Sequence, residues 1–366
     1  MISGADDIAR LGLPAQVEVL KLPGLRKLGN NDYSSRRLHI PAREIRALRA
    51  ALLLTAVKSF RPTVMLVDKH PFGASGELKD ALKALKKCGG SAALGFRDIL
   101  DEPAQVIEEW RPYRMQRQIA RHYDRVFIYG ERAVFDPVTA YEFPKEMASR
   151  TRFCGYVVNR ESEDALVDFK LLFPSREERS LPVVLASTGG GEDGFHLLTT
   201  FIEAAKSAPW QGVVIAGPLT PDSEWNSLKE LAAASGVAIR QFVPQLPALF
   251  NAVDAIVCMG GYNTLAEVVS KGVPTLCMPR VVPRTEQLIR AEAFAKLGLL
   301  RVVKPDHITA KILGAEISQL LQSPKPITPS TLSFEGANQT ALHLLALAKE
   351  TEAKRSQVEI PAGVTS

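Results

Sequence analysis

Three segments in the second half of the chain have residue types and spacings suited to a phosphorylated ligand. The first is Ser187–Thr188–Gly189–Gly190–Gly191–Glu192–Asp193–Gly194, between an apolar β-rich run and a helical pattern. Glycines at such a turn let backbone N–H groups approach a diphosphate at a helix N-terminus. A dinucleotide site also needs an acid closing the next strand. That strand ends Ala216–Gly217–Pro218–Leu219, and Asp222 comes too late, beyond a proline. A glycine-rich turn without a ligand is the other reading.

The second is Met259–Gly260–Gly261–Tyr262–Asn263–Thr264–Leu265–Ala266–Glu267, again joining a strand to a helix. Gly260 and Gly261 remove side chains where parallel sheets bind ligands. Asn263 or Thr264 can cap the helix and offer an amide or hydroxyl to phosphate oxygens. Glu267, one turn further in, can meet a ribose diol with both carboxylate oxygens. A plain capped helix with a dipole-favoured Glu is the alternative.

The third is Pro279–Arg280–Val281–Val282–Pro283–Arg284–Thr285–Glu286–Gln287. Arg280 and Arg284 carry guanidinium forks suited to phosphate oxygens. Glu286 and Gln287 can hydrogen-bond sugar hydroxyls, or Glu286 is simply a solvated residue in a first turn.

Group transfer to a hydroxyl needs a base within hydrogen-bond reach. Asp68 and His70 follow the β-rich run Thr63–Val67 and are the candidates, although Asp68–Lys69–His70 also reads as a turn held by Pro71 and Gly73. Asp98 and Asp101 follow the next run and are further candidates, or caps for Ile99–Leu100. The remaining histidines (His39, His122, His196, His307, His343) read as surface or packing positions.

The elements that must position these residues alternate. Strand-like runs are Val17–Leu20, Thr63–Asp68, Ala92–Phe96, Arg125–Tyr129, Arg152–Tyr156, Pro182–Ser187, Gly212–Gly217, Ala238–Phe242, Ala255–Met259, Pro274–Pro279 and Leu300–Val303. Helical patterns such as Gly76–Lys87, Gly194–Ser207, Leu265–Lys271 and Glu286–Leu297 lie between them. Alternating β and α implies parallel, doubly wound sheets, and 366 residues suggest two domains. The polar gap around 158–180 is the linker between domains at 1–157 and 181–335. A helix at 336–350 and a polar tail at 351–366 follow.

Apolar residues make up 46% and charged residues 23%, which excludes a wholly disordered chain or a disulfide miniprotein. Four scattered cysteines without C-x-x-C read as buried thiols and fit a reducing cytosol. The net charge of +5 divides into +8 over residues 1–155 and −3 over 156–366. Lys21, Arg26, Lys27, Arg36, Arg37, Arg43, Arg46 and Arg49 form a basic stretch, and the last three share a helical face. That face reads either as a site for anionic lipid or a lipid-phosphate acceptor, or as a solvated surface. Sparse aromatics that do not interleave with these charges argue against nucleic acid.

Taken together, the three loops and Phe242–Val243–Pro244 resemble the donor half of family-28, MurG-like GT-B glycosyltransferases. The resemblance extends to a bacterial group of predicted glycosyltransferases through KLPGLRKLGN (21–30), VDKHPFGASGEL (67–78), GFRDILDEP (95–103), FCGY (153–156), GGYNT (260–264) and PRVVPRTEQLIRAE (279–292). It implies an α/β fold of two Rossmann-like domains facing a cleft, with a UDP-sugar as donor, UDP-N-acetylglucosamine by analogy. Gly189, Gly190 and Gly191 would line the diphosphate, and the backbone of Phe242 and Val243 would edge the base. Gly260, Gly261, Tyr262, Asn263 and Thr264 would bind phosphates, Glu267 the ribose, and Glu286 or Gln287 the sugar. No D-x-D occurs, so neither a metal nor another cofactor is expected. The expected enzyme is a cytoplasmic, membrane-peripheral hexosyltransferase acting on an unknown acceptor, lipid-linked or anionic. Relative to the family, the opening strand, Gly/His-rich loop and helix are absent before Leu13–Leu20, so the first domain is expected to be N-terminally truncated. Two rival expectations remain: a donor-binding partner subunit without catalysis, and a nucleotide-sugar epimerase or hydrolase on the same fold.

Overall fold

In the computed structural model, residues 1–5, 13–29, 32–38, 40–159 and 180–359 are described. Almost all of the 158–180 linker therefore lies outside the described residues.

In the C-terminal half six strands lie in the order Ala238–Arg240, Gln211–Ile215, Val183–Ser187, Ala255–Cys258, Thr275–Cys277 and Arg301–Val302. All are parallel. The central ones are apolar at nearly every position because both faces are covered. Val183 and Leu185 pack on one face with Tyr262, Leu265 and Phe294. Val184 and Ala186 pack on the other with Leu197, Phe201, Leu228 and Leu313. Successive residues thus feed opposite cores, as the pleat requires. The winding reverses at Val183–Ser187, which has Gln211–Ile215 on one side and Ala255–Cys258 on the other. A crevice opens beyond the C-terminal ends of strands at such a switch point. The first two glycine-rich loops leave the sheet there.

In the N-terminal half a four-stranded parallel sheet runs one way, through Val64–Asp68, Ser91–Arg97, Arg125–Tyr129 and Thr151–Phe153. Helices Ala42–Phe60, Lys79–Lys87, Pro103–Trp110 and Met115–His122 contribute to the core on one face. Ile2–Ser3 pairs in parallel with Leu20–Lys21, and Leu25–Gly29 pairs antiparallel with Asp32–Ser35.

The helix Gly336–Glu359 returns to this half, where Leu347 packs on Ala93, Phe127 and Cys154. The sequence pattern predicts an end to this helix at 350. It continues because its last turns are anchored: Thr351 is buried and donates to Ser91 Oγ at 2.7 Å, and Arg355 donates to the Gly89 carbonyl at 3.0 Å. The basic helical face also differs from the one its periodicity predicts. Arg49 is buried and bidentate on Glu77 at 2.7 Å, so it leaves the surface row that includes Arg43 and Arg46. Among the described residues no helix is long and apolar enough to cross a membrane.

Candidate functional site

The turn after Val183–Ser187 needs its glycines for two different reasons. Gly189 has φ +70° and would accommodate a Cβ only in contact with Thr264 Oγ1, at 3.8 Å. A Cβ on Gly190 would likewise meet Leu219, at 3.8 Å. Gly191 (φ +96°) is buried, and a Cβ there would stand 2.3 Å from Thr220 Oγ1. The absence of a side chain at Gly191 lets the loop pack against Gly217–Thr220. Phe242, more than half exposed like Leu219, offers an aromatic face, while Val243 is in the core.

The second loop brings a helix N-terminus to the crevice. Helix Tyr262–Ser270 begins after Gly261, which has no side-chain cap. Asn263 and Thr264 therefore sit inside the first turn rather than capping it, and the leading N–H groups have no intrahelical acceptor. Gly261 has nothing within 4 Å of a Cβ position, whereas a Cβ on Gly260 would stand 2.5 Å from the Gln287 carbonyl oxygen. Tyr262 departs from the expectation: it is buried, and its hydroxyl accepts from Val157 N at 3.0 Å. Its ring lies beneath the Arg97 and Arg290 guanidiniums, so its side chain serves the junction of the halves.

Glu267 is buried on that helix and accepts from Asn159 Nδ2 at 2.8 Å. Burial pushes its carboxyl up to about 7, against the opposing pull of the Asn159 hydrogen bonds. Asn159, at the end of the first half, had carried no signal in the sequence.

The third loop is tied to the first. Arg280 donates from Nη1 to Asp193 Oδ2 and from Nη2 to Glu286 Oε1, both at 2.9 Å. Gln287 Oε1 accepts from Arg280 N at 3.2 Å, so Gln287 shapes the loop. Two atoms of this group, Arg280 Nε and Glu286 Oε2, are buried without a hydrogen-bond partner among the described residues. A cavity of about 220 Å³ lies beside Arg280, lined also by His196, Met259, Met278 and Pro279. Arg284 was expected on phosphate, but it pairs with Asp101 Oδ2 at 3.0 Å and Glu109 at 3.2 Å. Two carboxylates already engage its fork.

Across the junction, Asp68 ends the strand Val64–Asp68 and His70 follows through Lys69, which has φ +63°. Both are exposed residues. Partial desolvation nonetheless raises the Asp68 carboxyl, while the charges of Arg97 and Lys69 pull it down. Arg97 also stands over the Tyr262 ring at 5.4 Å, so one arginine relates Asp68 to the second loop. Asp98 and Asp101 are unsuited as bases, because both are fully buried in ion pairs with Arg290 and Arg284.

Residues 194–344 match the model of the glycosyltransferase family 28 C-terminal domain. The chain is 26% identical over 205 residues to the UDP-N-acetylglucosamine–N-acetylmuramyl-(pentapeptide) pyrophosphoryl-undecaprenol N-acetylglucosamine transferase of Bacillus pumilus, covering 55% of this chain and 54% of that one. The match thus spans about half the length of that relative. An NDP-glycosyltransferase of Bacillus subtilis is 25% identical over 277 residues, 71% of this chain and 65% of that one. Among solved structures, MurG of Acinetobacter baumannii superposes with a TM-score of 0.54 at 14% identity, over 95% of this chain and 90% of that one. A UDP-N-acetylglucosamine 2-epimerase from Listeria monocytogenes gives 0.58 at 12%, over 91% and 83%.

Proposed function

We propose that this chain, a family-28-like protein of the GT-B glycosyltransferase fold, transfers a hexose or N-acetylhexosamine from a UDP-sugar to an acceptor hydroxyl. The observation that carries this reading is the helix N-terminus at Tyr262–Thr264, which faces the Gly189–Gly190 turn beyond the strand ends where the parallel sheet reverses. Arg280 and Glu286, on the third loop, would offer a cation and a carboxylate to the sugar hydroxyls. The N-terminus of helix Tyr262–Ser270 opens toward Gly189 and would stabilise the diphosphate leaving group without a metal. Glu267 would hold the ribose diol, with Phe242 beside the base. Asp68 would take the acceptor proton, its carboxyl raised toward a useful basicity, with His70 as the neighbouring candidate. UDP-N-acetylglucosamine is the favoured donor because the matching Bacillus pumilus relative is named for that sugar. The same name motivates a lipid-linked acceptor, and with it contact at a membrane surface.

Calorimetry against UDP, GDP, dTDP and NAD tests the donor, and UDP release with and without a lipid diphosphate acceptor tests the transfer. Selective UDP binding and acceptor-dependent release are expected. Free sugar released at the same rate without acceptor would point to a hydrolase, and UDP binding without turnover to a partner subunit.

A further inference from the structure

Two of the motifs that mark this sequence, GFRDILDEP and PRVVPRTEQLIRAE, meet across the junction of the halves. Arg290 and Asp98, 192 residues apart in sequence, are 2% and 0% exposed. Arg290 Nε and Nη2 donate to the Asp98 carboxylate at 2.9–3.1 Å. Nη2 also reaches the Ile99 carbonyl, and Nη1 donates to the Gly260 carbonyl at 3.0 Å. Ile99 N and the Tyr156 hydroxyl complete the shell of Asp98. Three residues on, Asp101 Oδ1 accepts from Thr285 N at 2.9 Å and Thr285 Oγ1 at 3.2 Å, while Oδ2 holds Arg284.

We propose that Asp98 and Asp101 are positioning residues for the donor site, acting from the opposite half of the molecule. Asp98 sets the Gly260–Gly261 turn through Arg290, and Asp101 sets the Pro279–Glu286 loop directly. The inference rests on donor binding at these loops, as proposed above. A buried ion pair adds little net stability, since desolvation roughly offsets the attraction, but a well-satisfied one can fix register. Here the register is that of a peptide plane. Holding the Gly260 carbonyl orients the Gly260–Gly261 unit, and so the approach to the N–H groups that open helix Tyr262–Ser270. Separating the halves would strand Asp98 and Arg290 unpaired, so the clasp favours one fixed relation. Asp98 follows Ser91–Arg97, the neighbour of the strand that ends in Asp68. The same clasp therefore references the candidate base to the donor loops.

The test compares wild type, Asp98→Asn and Asp101→Asn by amide hydrogen exchange over residues 260–264 and by calorimetry with UDP and UDP-N-acetylglucosamine. Asp98→Asn should speed exchange in that loop and weaken UDP about tenfold, a typical coupling between sites. Asp101→Asn should weaken UDP-N-acetylglucosamine relative to UDP, since its loop faces the sugar. A merely destabilising change would not separate the two ligands. Unaltered exchange and affinity in folded Asp98→Asn would overturn the proposal. Should that variant not fold, Asp101→Asn decides: equal effects on both ligands overturn it. If wild type binds no UDP, the donor reading falls while the exchange data still judge the clasp.

Discussion

Thr264 Oγ1 lies 3.8 Å from where a Cβ on Gly189 would stand. The turn that follows Val183–Ser187 and the first turn of helix Tyr262–Ser270 therefore face each other across the point where the sheet reverses. Neither loop alone distinguishes a ligand site from an ordinary turn. Their opposition sets the backbone of the glycine turn beside a helix N-terminus. Arg280 then joins the third loop to the first through Asp193.

In the proposed donor site, Glu267 would bring a pH dependence with a defined sign. Its carboxyl is raised from 4.5 to about 7 by burial. Because the folded value is raised, its contribution to stability is full below 4.5 and is lost as pH rises through about 7. A ribose diol held there would donate to the ionised form, so donor affinity should move the other way and strengthen over the same window. UDP-N-acetylglucosamine, whose diphosphate does not titrate there, is the suitable ligand for calorimetry at pH 6 and pH 8. Glu267→Gln should abolish the dependence and lose about 1.5–3 kcal/mol of affinity at pH 8, as for hydrogen bonds to a charged group. An unchanged pH profile in that variant would move the ribose elsewhere.

Donor binding and turnover should survive EDTA, because the proposed leaving-group stabiliser is a helix N-terminus. A strict requirement for added Mn²⁺ in a UDP-release assay would refute this arrangement.

The strands of both sheets could be read from their Val, Ile and Leu runs because burial on both faces leaves little choice of residue. The loops could be read because Gly and Pro punctuate them. Pairings across long sequence separations could not. Arg49 looked like part of an exposed basic face, since helical periodicity carries no information about Glu77, 28 residues away. Arg290 and Asp98 lie on different halves of the molecule. The hairpin Leu25–Gly29 with Asp32–Ser35 was also hidden, because LRKLG and DYSS show no apolar alternation.

The burial of Arg49 against Glu77 splits the behaviour of the basic stretch. The protein should bind anionic vesicles at low salt and release above ~0.3 M, where the Debye length falls to a few ångströms. Arg43→Ala with Arg46→Ala should weaken this association without unfolding the protein. Arg49→Ala should act on stability, because it leaves the buried Glu77 uncompensated, at a cost of about 3–5 kcal/mol. Vesicle cosedimentation and thermal melts separate the two. Equal sedimentation with neutral vesicles would leave Arg43 and Arg46 as a solvated surface.

Adjacent glycines provide the sharpest separation of folding from binding. A Cβ on Gly260 would stand 2.5 Å from the Gln287 backbone oxygen and 2.8 Å from its side chain. The carbonyl belongs to helix Glu286–Lys296 and cannot swing away. Gly260→Ala should therefore cost about 1–3 kcal/mol of stability, as overpacking does, and lose donor affinity as the loop shifts. Gly261 has φ −62° and ψ 141°, a conformation open to any L-residue, with nothing within 4 Å of a Cβ. Gly261→Ala should melt like wild type. Yet its methyl group would project at the start of the helix, where the diphosphate is proposed to sit, and UDP affinity should fall about tenfold, or 1.4 kcal/mol. A Gly261→Ala protein that binds UDP normally would leave this N-terminus without a ligand, however well the rest of the crevice fits one.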